Sequence, residues 1–507
     1  MSFLQSTQGQ LRHVESERFM SLLLKFAKTA LQTISILTIL GLCAGAQQYD
    51  LVINNGRVMD PETGLDGSRN VGIKNGKIAV ISDKPLTASR SIDAKGLVVT
   101  AGFIDLHQHG QDPTSQRLKA FDGVTTALEM EVGAPDVAQF LSSMKGHSLI
   151  HYGTTASHLA ARGTAFGVSM PPGDILPSTG PATNQSATPD QLEKLFSRLR
   201  DQISAGALGI GMGIQYSPGA TRLEIIDTFR LAAQYGLPVY THIRSAGTQE
   251  PGSSIESVSE VIAASTISGA SLHIVHINSS CGSDGTECLS LIAGARARGI
   301  DVTTEAYPYI AGMTSITSAL FNPGWQEKFH VSYGDLMLPD TGERLTKERF
   351  EELHNAKQQR LVILFSNTQP AVDTVIRNPL VMIASDGAPG HPRNAGTYSR
   401  IVAEYVRKQG ALTLMDALRK MSLMPAQMLE RSTPAARGKG RMQEGADADI
   451  VVFDPTTIQD RSTYAKPSEQ STGVQFLVVN GVVVIDGGKL VEGKYPGEAI
   501  LGSASRR

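Results

Sequence analysis

The chain has 507 residues, which at about 150 residues per domain is enough for three or four domains, or for one large barrel with additions. Its 46 Lys and Arg residues nearly balance 48 Asp and Glu residues, for a net charge of −2, which argues against a nucleic-acid-binding role. Hydrophobic residues make up 41%, which excludes wholesale disorder, and three cysteines are too few for a disulfide scaffold.

Residues 1–46 read as an N-terminal extension followed by a secretory signal peptide. Lys25 and Lys28 precede an apolar run at 30–42, and small residues end at Ala46. The apolar run is shorter than the roughly 20 residues needed to span a bilayer, which argues against an uncleaved anchor. We therefore predict export, to the periplasm, with cleavage after Ala46.

The cysteines leave two questions open. Cys43 could carry a lipid, but the preceding Leu42 is large where lipoprotein signals have a small residue, so this is the lesser alternative. After export, Cys281 and Cys288 enter an oxidising compartment. The sequence alone allows either a local disulfide or two free thiols.

Short β-strands are predicted near both ends of the mature chain. Asn-Gly pairs lie between apolar runs at 55–56, 75–76 and 480–481. Such a pair is a strong hairpin signal because both turn positions require positive φ. We predict that residues 47–100 and 441–507 together form one small β-sandwich domain.

The middle of the chain alternates strand-like apolar runs with stretches of helical period, which indicates βα units and a parallel sheet. Eight such runs are found: 102–107, 125–131, 152–157, 208–213, 238–242, 271–277, 302–307 and 380–386. Eight is the number that closes a TIM barrel. We predict an α/β protein whose residues 101–440 form a (β/α)8 barrel, with an insertion near 310–378.

Histidines and one aspartate occur where these predicted strands end. His107 and His109 follow the first strand, and two residues apart on a strand face the same side. His242, His276 and Asp386 end the fifth, sixth and eighth strands. Each alone has a plain structural reading, as a core histidine or a turn residue. Because barrel active sites form at the C-terminal strand ends, all five are predicted to meet in a metal site.

Two metals would need a bridging anion. The fourth run, 208–213, contains no lysine that could be carbamylated. The second run contains Glu129 and Glu131, which alternation places on one inward face, where a carboxylate is costly unless it is paired or binds metal. We select Glu131 as the bridging ligand because it is nearer the C-terminal end, and keep Glu129 as the alternative.

Several motifs carry a family resemblance. Ala-Gly-Phe-Ile-Asp-Leu-His-Gln-His at 101–109 resembles the first-strand signature of the amidohydrolase superfamily. Gly-Val-Thr-Thr at 123–126, Tyr-Ser-Pro-Gly at 216–219, Tyr-Pro-Tyr at 307–309 and His-Pro-Arg at 391–393 resemble its D-aminoacylase branch, the N-acyl-D-amino-acid deacylases. The resemblance implies a zinc-dependent hydrolase, with one or two ions, that cleaves the amide bond of N-acyl-D-amino acids to a carboxylic acid and a free amino acid.

The resemblance also implies residue roles. Its metal positions fall on residues already selected from their strand positions: His107, His109, His242, His276 and Asp386. The resemblance also assigns the substrate carboxylate to Arg393 and Tyr307. From its position beside the metal, Asp386 would in addition carry the catalytic proton. The chain departs from the branch in two ways: the second strand has no bridging cysteine, and Asn278 stands where a lysine is usual.

Two other functions remain open at this point: a cyclic-amide or lactone hydrolase, or a deaminase, with the same metals, and a metal-free exported scaffold. The presence of all five ligand positions disfavours the scaffold. Arg244 could supply a second cation to the site or form a structural salt bridge. The expected partner is a small acylated amino acid, with no nucleic acid and no membrane span after signal cleavage; the oligomeric state is left open.

Overall fold

The structure is a computed structural model that describes Met20, Lys28 and residues 49–168, 176–356 and 360–506. The predicted signal peptide therefore lies outside the described residues, apart from Met20 and Lys28. Within the described part of the chain, none of the helices is both long enough and apolar enough to cross a membrane.

Eight parallel strands form the barrel sheet, and each of the eight predicted runs overlaps one of them. In chain order these barrel strands are Phe103–Asp105, Val124–Ala134, His151–Ser157, Ile210–Gly213, Val239–His242, Leu272–Ile274, Val302–Ala306 and Val381–Ile383. Strands adjacent in the chain are adjacent in the sheet. Two contacts join the last strand to the first. Ser385 Oγ donates to Asp105 Oδ2 at 2.6 Å, and the backbones of Gln108 and Gly387 form an isolated parallel β-bridge. The predicted (β/α)8 barrel is confirmed.

Helices connect these strands and bury one apolar side. Pro189–Ser204 is an example: a capping box at Thr188 and Gln191 begins it, and Leu195, Leu199 and Ile203 lie four residues apart on its buried side. The α-helices are Pro113–Phe121, Val137–Met144, His158–Ala165, Pro181–Asn184, Pro189–Ser204, Arg222–Gln234, Ser254–Ser268, Ile277–Cys281, Gly285–Ala297, Trp325–Phe329, Lys347–Asn355, Gln369–Arg377, Arg393–Arg400, Leu414–Leu418 and Met424–Leu429. Two π-helical stretches, Ile401–Lys408 and Arg419–Leu423, continue the helices that precede them.

Both chain ends supply strands to one nine-stranded sheet, as predicted. Its strands are Leu51–Asp60, Leu65–Lys74, Lys77–Ser82, Ser91–Asp93, Val98–Ala101, Ile450–Phe453, Val474–Val479, Val482–Asp486 and Lys489–Leu490. The two ends join where Ile450–Phe453 pairs antiparallel with Val98–Ala101.

Two of the three Asn-Gly pairs form the expected turns, with φ of +51° and +71° at 75–76 and +50° and +76° at 480–481. The hairpin prediction at 55–56 is wrong. These residues lie inside the strand Leu51–Asp60, where the register shifts by a β-bulge. Gly56 is needed there because a Cβ would fall 2.3 Å from the Val99 side chain.

The predicted insertion contains a small antiparallel sheet of its own, made of Gly312–Ser315, Leu336–Met337 and Leu361–Leu364. Beside it lies an aromatic cluster whose rings pack at centroid distances of 5.1 to 5.6 Å. This cluster consists of Phe321, Trp325, Tyr333 and Phe350. Such packing gives this segment its own apolar core.

A buried carboxylate ties the terminal sheet to the barrel. Asp449 Oδ1 accepts from His151 Nε2 at 3.0 Å and from the backbone N–H of Asn480 at 2.8 Å. Its Oδ2 accepts from Lys439 Nζ at 2.7 Å. Burial opposes the charge, but His151 and Lys439 hold the pKa of Asp449 well below its usual range.

We expect Asp449→Asn to lower the free energy of unfolding by about 3 kcal/mol at pH 7, because it leaves buried donors without their anion. A depressed carboxyl pKa contributes stability above the usual pKa of about 3.9, and this contribution is lost as the pH falls below that value. The difference between wild type and variant, measured by urea unfolding, should therefore shrink progressively as the pH falls below about 4. Asp66→Asn, in an exposed pair with Arg57 in the same sheet, is the control. Equal stability of wild type and Asp449→Asn at pH 7 would contradict the prediction.

Candidate metal centre

Side chains from five barrel strands meet at the C-terminal end of the barrel. They come from the first, second, fifth, sixth and eighth strands. The structure brings together all six residues that the sequence selected as metal ligands: His107, His109, Glu131, His242, His276 and Asp386.

The first group of ligand atoms, called group one, consists of His107, His109, Glu131 and Asp386. Glu131 Oε2 lies 3.1 Å from His107 Nε2 and 3.2 Å from His109 Nε2. Asp386 Oδ1 lies 3.4 and 3.2 Å from the same two nitrogens. Four ligands bound tetrahedrally at about 2.0–2.1 Å would be about 3.3 Å apart. The donor atoms of group one thus have the spacing that a tetrahedral ion requires.

The second group, group two, consists of Glu131, His242 and His276. Glu131 Oε1 lies 2.7 Å from His242 Nδ1 and 2.9 Å from His276 Nε2. Glu131 therefore contributes Oε2 to group one and Oε1 to group two. Glu129, the alternative, instead places Oε2 2.7 Å from His109 Nδ1, on the side of the ring turned away from group one.

Other side chains fix the direction of each imidazole. Glu305 accepts from His107 Nδ1 at 2.7 Å, as Glu129 does from His109, since a carboxylate can only accept. Ser279 and Ser280 place their hydroxyl oxygens 3.0 Å from His276 Nδ1. Partners of this kind set the tautomer and orient ligating histidines.

Sequence reasoning missed Glu305. It lies on the seventh barrel strand, Val302–Ala306, and is 1% exposed. An inward carboxylate in a barrel strand needs a partner, as at Glu131, so the position of Glu305 on a barrel strand is the signal that could have found it. The second oxygen of Glu305 accepts from His273 Nε2 at 3.0 Å. Burial opposes its charge, but His273 and His107 lower the pKa of Glu305 to about 2.

We expect Glu305→Gln to weaken metal binding by about 10–100-fold, because the amide is a poorer acceptor for the His107 N–H. Competition with a chromophoric chelator measures this affinity. Glu224→Gln is the matched control, since Glu224 is a buried glutamate that accepts from His158 at 3.0 Å away from both ligand groups. Unchanged metal affinity in Glu305→Gln would show that His107 needs no such partner.

The electrostatics of the cluster favour cations. Burial opposes charge throughout, but the carboxylates of Asp386 and Glu131 raise the pKa of His107 to about 10. Burial also opposes the charges of Glu131 and Asp386. Neighbouring imidazoles nevertheless hold the pKa of Glu131 well below its usual range. Arg393 does the same for the pKa of Asp386. Two ionised carboxylates among four imidazoles form a donor set of the type that binds divalent metals.

Two ligands have unusual backbone conformations. His276 has φ of +31° and Asp386 of +50°, values that side-chain-bearing residues seldom adopt. Each follows the last residues of a short barrel strand, Leu272–Ile274 or Val381–Ile383. Such backbone strain of about 1–3 kcal/mol per residue typically persists at functional sites. Here the strained residues are His276 and Asp386, and the side chains of both lie in the ligand cluster.

The two residues predicted to bind the substrate carboxylate lie beside the cluster. Tyr307 lines the cavity above it. Arg393 is 1% exposed, and its guanidinium carbon lies 4.6 Å from the centre of the Tyr307 ring. Arg393 Nη1 is 2.8 Å from Asp386 Oδ2, so the anion that it faces in this structure is Asp386. Asn278, in place of the family's lysine, binds the backbone N–H and C=O of Tyr307.

The remaining candidates have structural roles. Arg244 forms a salt bridge with Glu260 at 2.9 Å and donates to two backbone carbonyls, which favours the structural reading over a second cation in the site. Cys281 and Cys288 are joined as a disulfide. Cys281 ends the helix Ile277–Cys281, which carries the serines that contact His276.

A cavity of about 570 Å³ opens above the ligand cluster. Small-molecule sites commonly have about 300–1,000 Å³. His109, Glu131, His242, His276 and Asp386 line its floor. Much of its wall is apolar. The insertion supplies most of this apolar wall, and Leu176 adds to it; the insertion residues are Met313, Leu320, Phe329, Leu361 and Leu364. The cavity can therefore enclose a small molecule with an apolar portion.

Comparison with known proteins agrees with this architecture. Residues 98–490 match the amidohydrolase family. N-acyl-D-glutamate deacylase from Alcaligenes xylosoxydans xylosoxydans is 28% identical over 472 residues, covering 86% of this chain and 94% of that protein. D-aminoacylase from the same organism is 27% identical over 468 residues, covering 87% and 95%.

A solved structure has the same fold. The crystal structure of N-acyl-D-glutamate deacylase from Bordetella bronchiseptica, complexed with zinc and a phosphonate inhibitor, superposes with a TM-score of 0.76 at 24% identity. The match covers 90% of this chain and 100% of that one. Because the family match spans residues 98–490, well over half of the sequence, the chain belongs to the amidohydrolase family.

Proposed function

We propose that this protein is a zinc-dependent hydrolase that cleaves the amide bond of N-acyl-D-amino acids and releases a carboxylic acid and a free D-amino acid. The observation that carries the proposal is the placement of Glu131 at the floor of the cavity, where one of its oxygens faces His107, His109 and Asp386 and the other faces His242 and His276. The activities of the two curated relatives support the choice of substrate.

The donor set fits zinc. Imidazole nitrogens and carboxylate oxygens are ordinary zinc ligands, and group one has tetrahedral spacing. His107, His109, Glu131 and Asp386 would hold one ion, and Glu131, His242 and His276 would take part in holding a second. When bound, zinc supplies Lewis acidity to an amide carbonyl and makes water a better proton donor.

Asp386 is the residue placed to move the proton. It would take a proton from the attacking water and return it to the leaving amine nitrogen, as a general base and then a general acid. Arg393 holds Asp386 Oδ2 at 2.8 Å, which leaves Oδ1 directed at group one. A grip of Arg393 on the substrate carboxylate stays a prediction, and it would require Arg393 to share its contact with Asp386.

The test is hydrolysis by the purified protein of N-acetyl-D-leucine, N-acetyl-D-methionine and N-acetyl-D-glutamate, with the L-enantiomers as controls. Release of free amine is expected, with faster turnover of the apolar D-substrates, because the cavity wall is largely apolar. A chelator should abolish activity and added zinc should restore it.

The rival functions give different results in the same assay series. Cleavage of hydantoins or lactones without cleavage of any acylated D-amino acid would favour a cyclic-substrate hydrolase. A stable protein that contains no metal by elemental analysis and hydrolyses none of these compounds would favour a scaffold.

We also propose that the protein is exported to the periplasm. The lysine-flanked apolar run and the small residues ending at Ala46 support this, and so does the Cys281–Cys288 disulfide, which suits an oxidising compartment. Expression of the full chain in a Gram-negative host, followed by N-terminal sequencing of the periplasmic fraction, should give a start at Gln47. A cytoplasmic full-length chain would contradict export, and a lipid-labelled Cys43 would indicate the lipoprotein alternative.

A further inference from the structure

His242 faces the ligand cluster differently from the other three histidines. His107, His109 and His276 direct Nε2 at Glu131 or Asp386. His242 instead directs Nδ1 at Glu131 Oε1, at 2.7 Å. Its Nε2 therefore lies on the outer side of the ring, where it is within hydrogen-bond distance of Gln215 Oε1.

A neutral imidazole that binds a metal through one nitrogen carries its proton on the other. For His242 that proton must be on Nε2, and it needs a buried acceptor. Gln215 Oε1 is the atom in that position. Among the residues that the structure describes, the amide nitrogen of Gln215 makes no hydrogen bond, so the contact with His242 is the one that orients this amide.

The fold holds Gln215 in place. It lies in the 3-10 turn Ile214–Tyr216, directly after the fourth barrel strand, and is 5% exposed. The next residue, Tyr216, packs its ring edge-on against His242 at a centroid distance of 5.0 Å. The fourth strand supplies no ligand to the cluster, yet the turn that follows it contacts His242 through two consecutive residues.

We propose that Gln215 is a positioning residue that fixes His242 in the tautomer required for metal binding through Nδ1. It does for this ring what Glu305 and Glu129 do for His107 and His109, with a neutral amide oxygen in place of a carboxylate. The inference rests on the metal centre of the proposed function, because it assigns a role toward that centre.

The test compares three variants by zinc stoichiometry and by zinc affinity in competition with a chromophoric chelator. Gln215→Leu removes the acceptor at similar volume, and is expected to weaken one of two zinc sites by about 10–100-fold while the other keeps its affinity. Gln215→Glu retains an acceptor oxygen and should restore affinity to within a few-fold of wild type. Gln202→Leu is the matched control, since Gln202 is a buried glutamine that accepts from the backbone N–H of Val137 away from the cluster.

Two results would overturn the inference. One is wild-type affinity at both sites in Gln215→Leu. The other is the same loss in Gln215→Glu as in Gln215→Leu with thermal stability unchanged in both, which would show that packing and not the acceptor matters. A wild-type protein that binds no zinc would instead overturn the proposed function, so the two failures are distinguishable.

Discussion

Replacement of Asp386 by Asn should lower kcat for N-acyl-D-amino acids by about 10³-fold or more, within the range by which a positioned general acid–base contributes. The amide keeps the volume of the side chain and has an oxygen that can face the His107 and His109 nitrogens, now 3.4 and 3.2 Å away. It cannot carry a proton between water and the leaving amine. The measurement is steady-state hydrolysis at saturating zinc, with zinc content determined on the same sample.

The fall in kcat that comes from losing the proton carrier must be distinguished from a fall in activity caused by unfolding of the variant. Asp386→Asn leaves the buried Arg393 without its anion, which by itself costs about 3–5 kcal/mol of stability. Circular dichroism and thermal unfolding of the variant are therefore part of the experiment. Asp66→Asn, on the surface of the terminal sheet, should leave kcat unchanged. Retention of a tenth or more of wild-type kcat by folded Asp386→Asn would exclude Asp386 as the proton carrier.

The barrel could be read from the sequence because its signals are local. Buried parallel strands appear as short apolar runs, and each of the eight runs overlaps an observed strand. The ligands could be found because strand ends meet at one face of a barrel, so that His109 and Asp386 become neighbours although 277 positions separate them in the chain.

Features that depend on tertiary contacts could not be read in this way. Asn-Gly at 55–56 has the same sequence pattern as a hairpin turn, and only the register of the paired strands shows that it is a bulge, with Gly56 close against Val99. The choice between Nδ1 and Nε2 of each histidine depends on partners from other strands, such as Glu305. A guanidinium fork suits a substrate carboxylate, but the pairing of Arg393 with Asp386 is set by the turn at Asp386 and by burial.

The two glutamates of the second barrel strand provide the sharpest remaining prediction. Glu131→Gln should bind at most one zinc ion and should lose about 10³-fold or more in kcat/KM, because several kcal/mol of charge stabilisation in a metal site correspond to about that factor. The physical reason is that Glu131 contributes an oxygen to each ligand group, and His242 and His276 both face its Oε1. Zinc stoichiometry by elemental analysis and hydrolysis kinetics measure the two effects separately.

Glu129→Gln is the matched comparison, since it makes the same chemical change two residues away on the same strand. Glu129 contacts the outer nitrogen of His109, so the variant should keep two zinc sites, with affinity at group one weakened by about 10–100-fold. The reverse pattern, in which Glu129→Gln loses the second ion and Glu131→Gln keeps it, would make Glu129 the bridging ligand. The two variants thus decide a question that alternation along the strand leaves open, because alternation places both carboxylates on the same face.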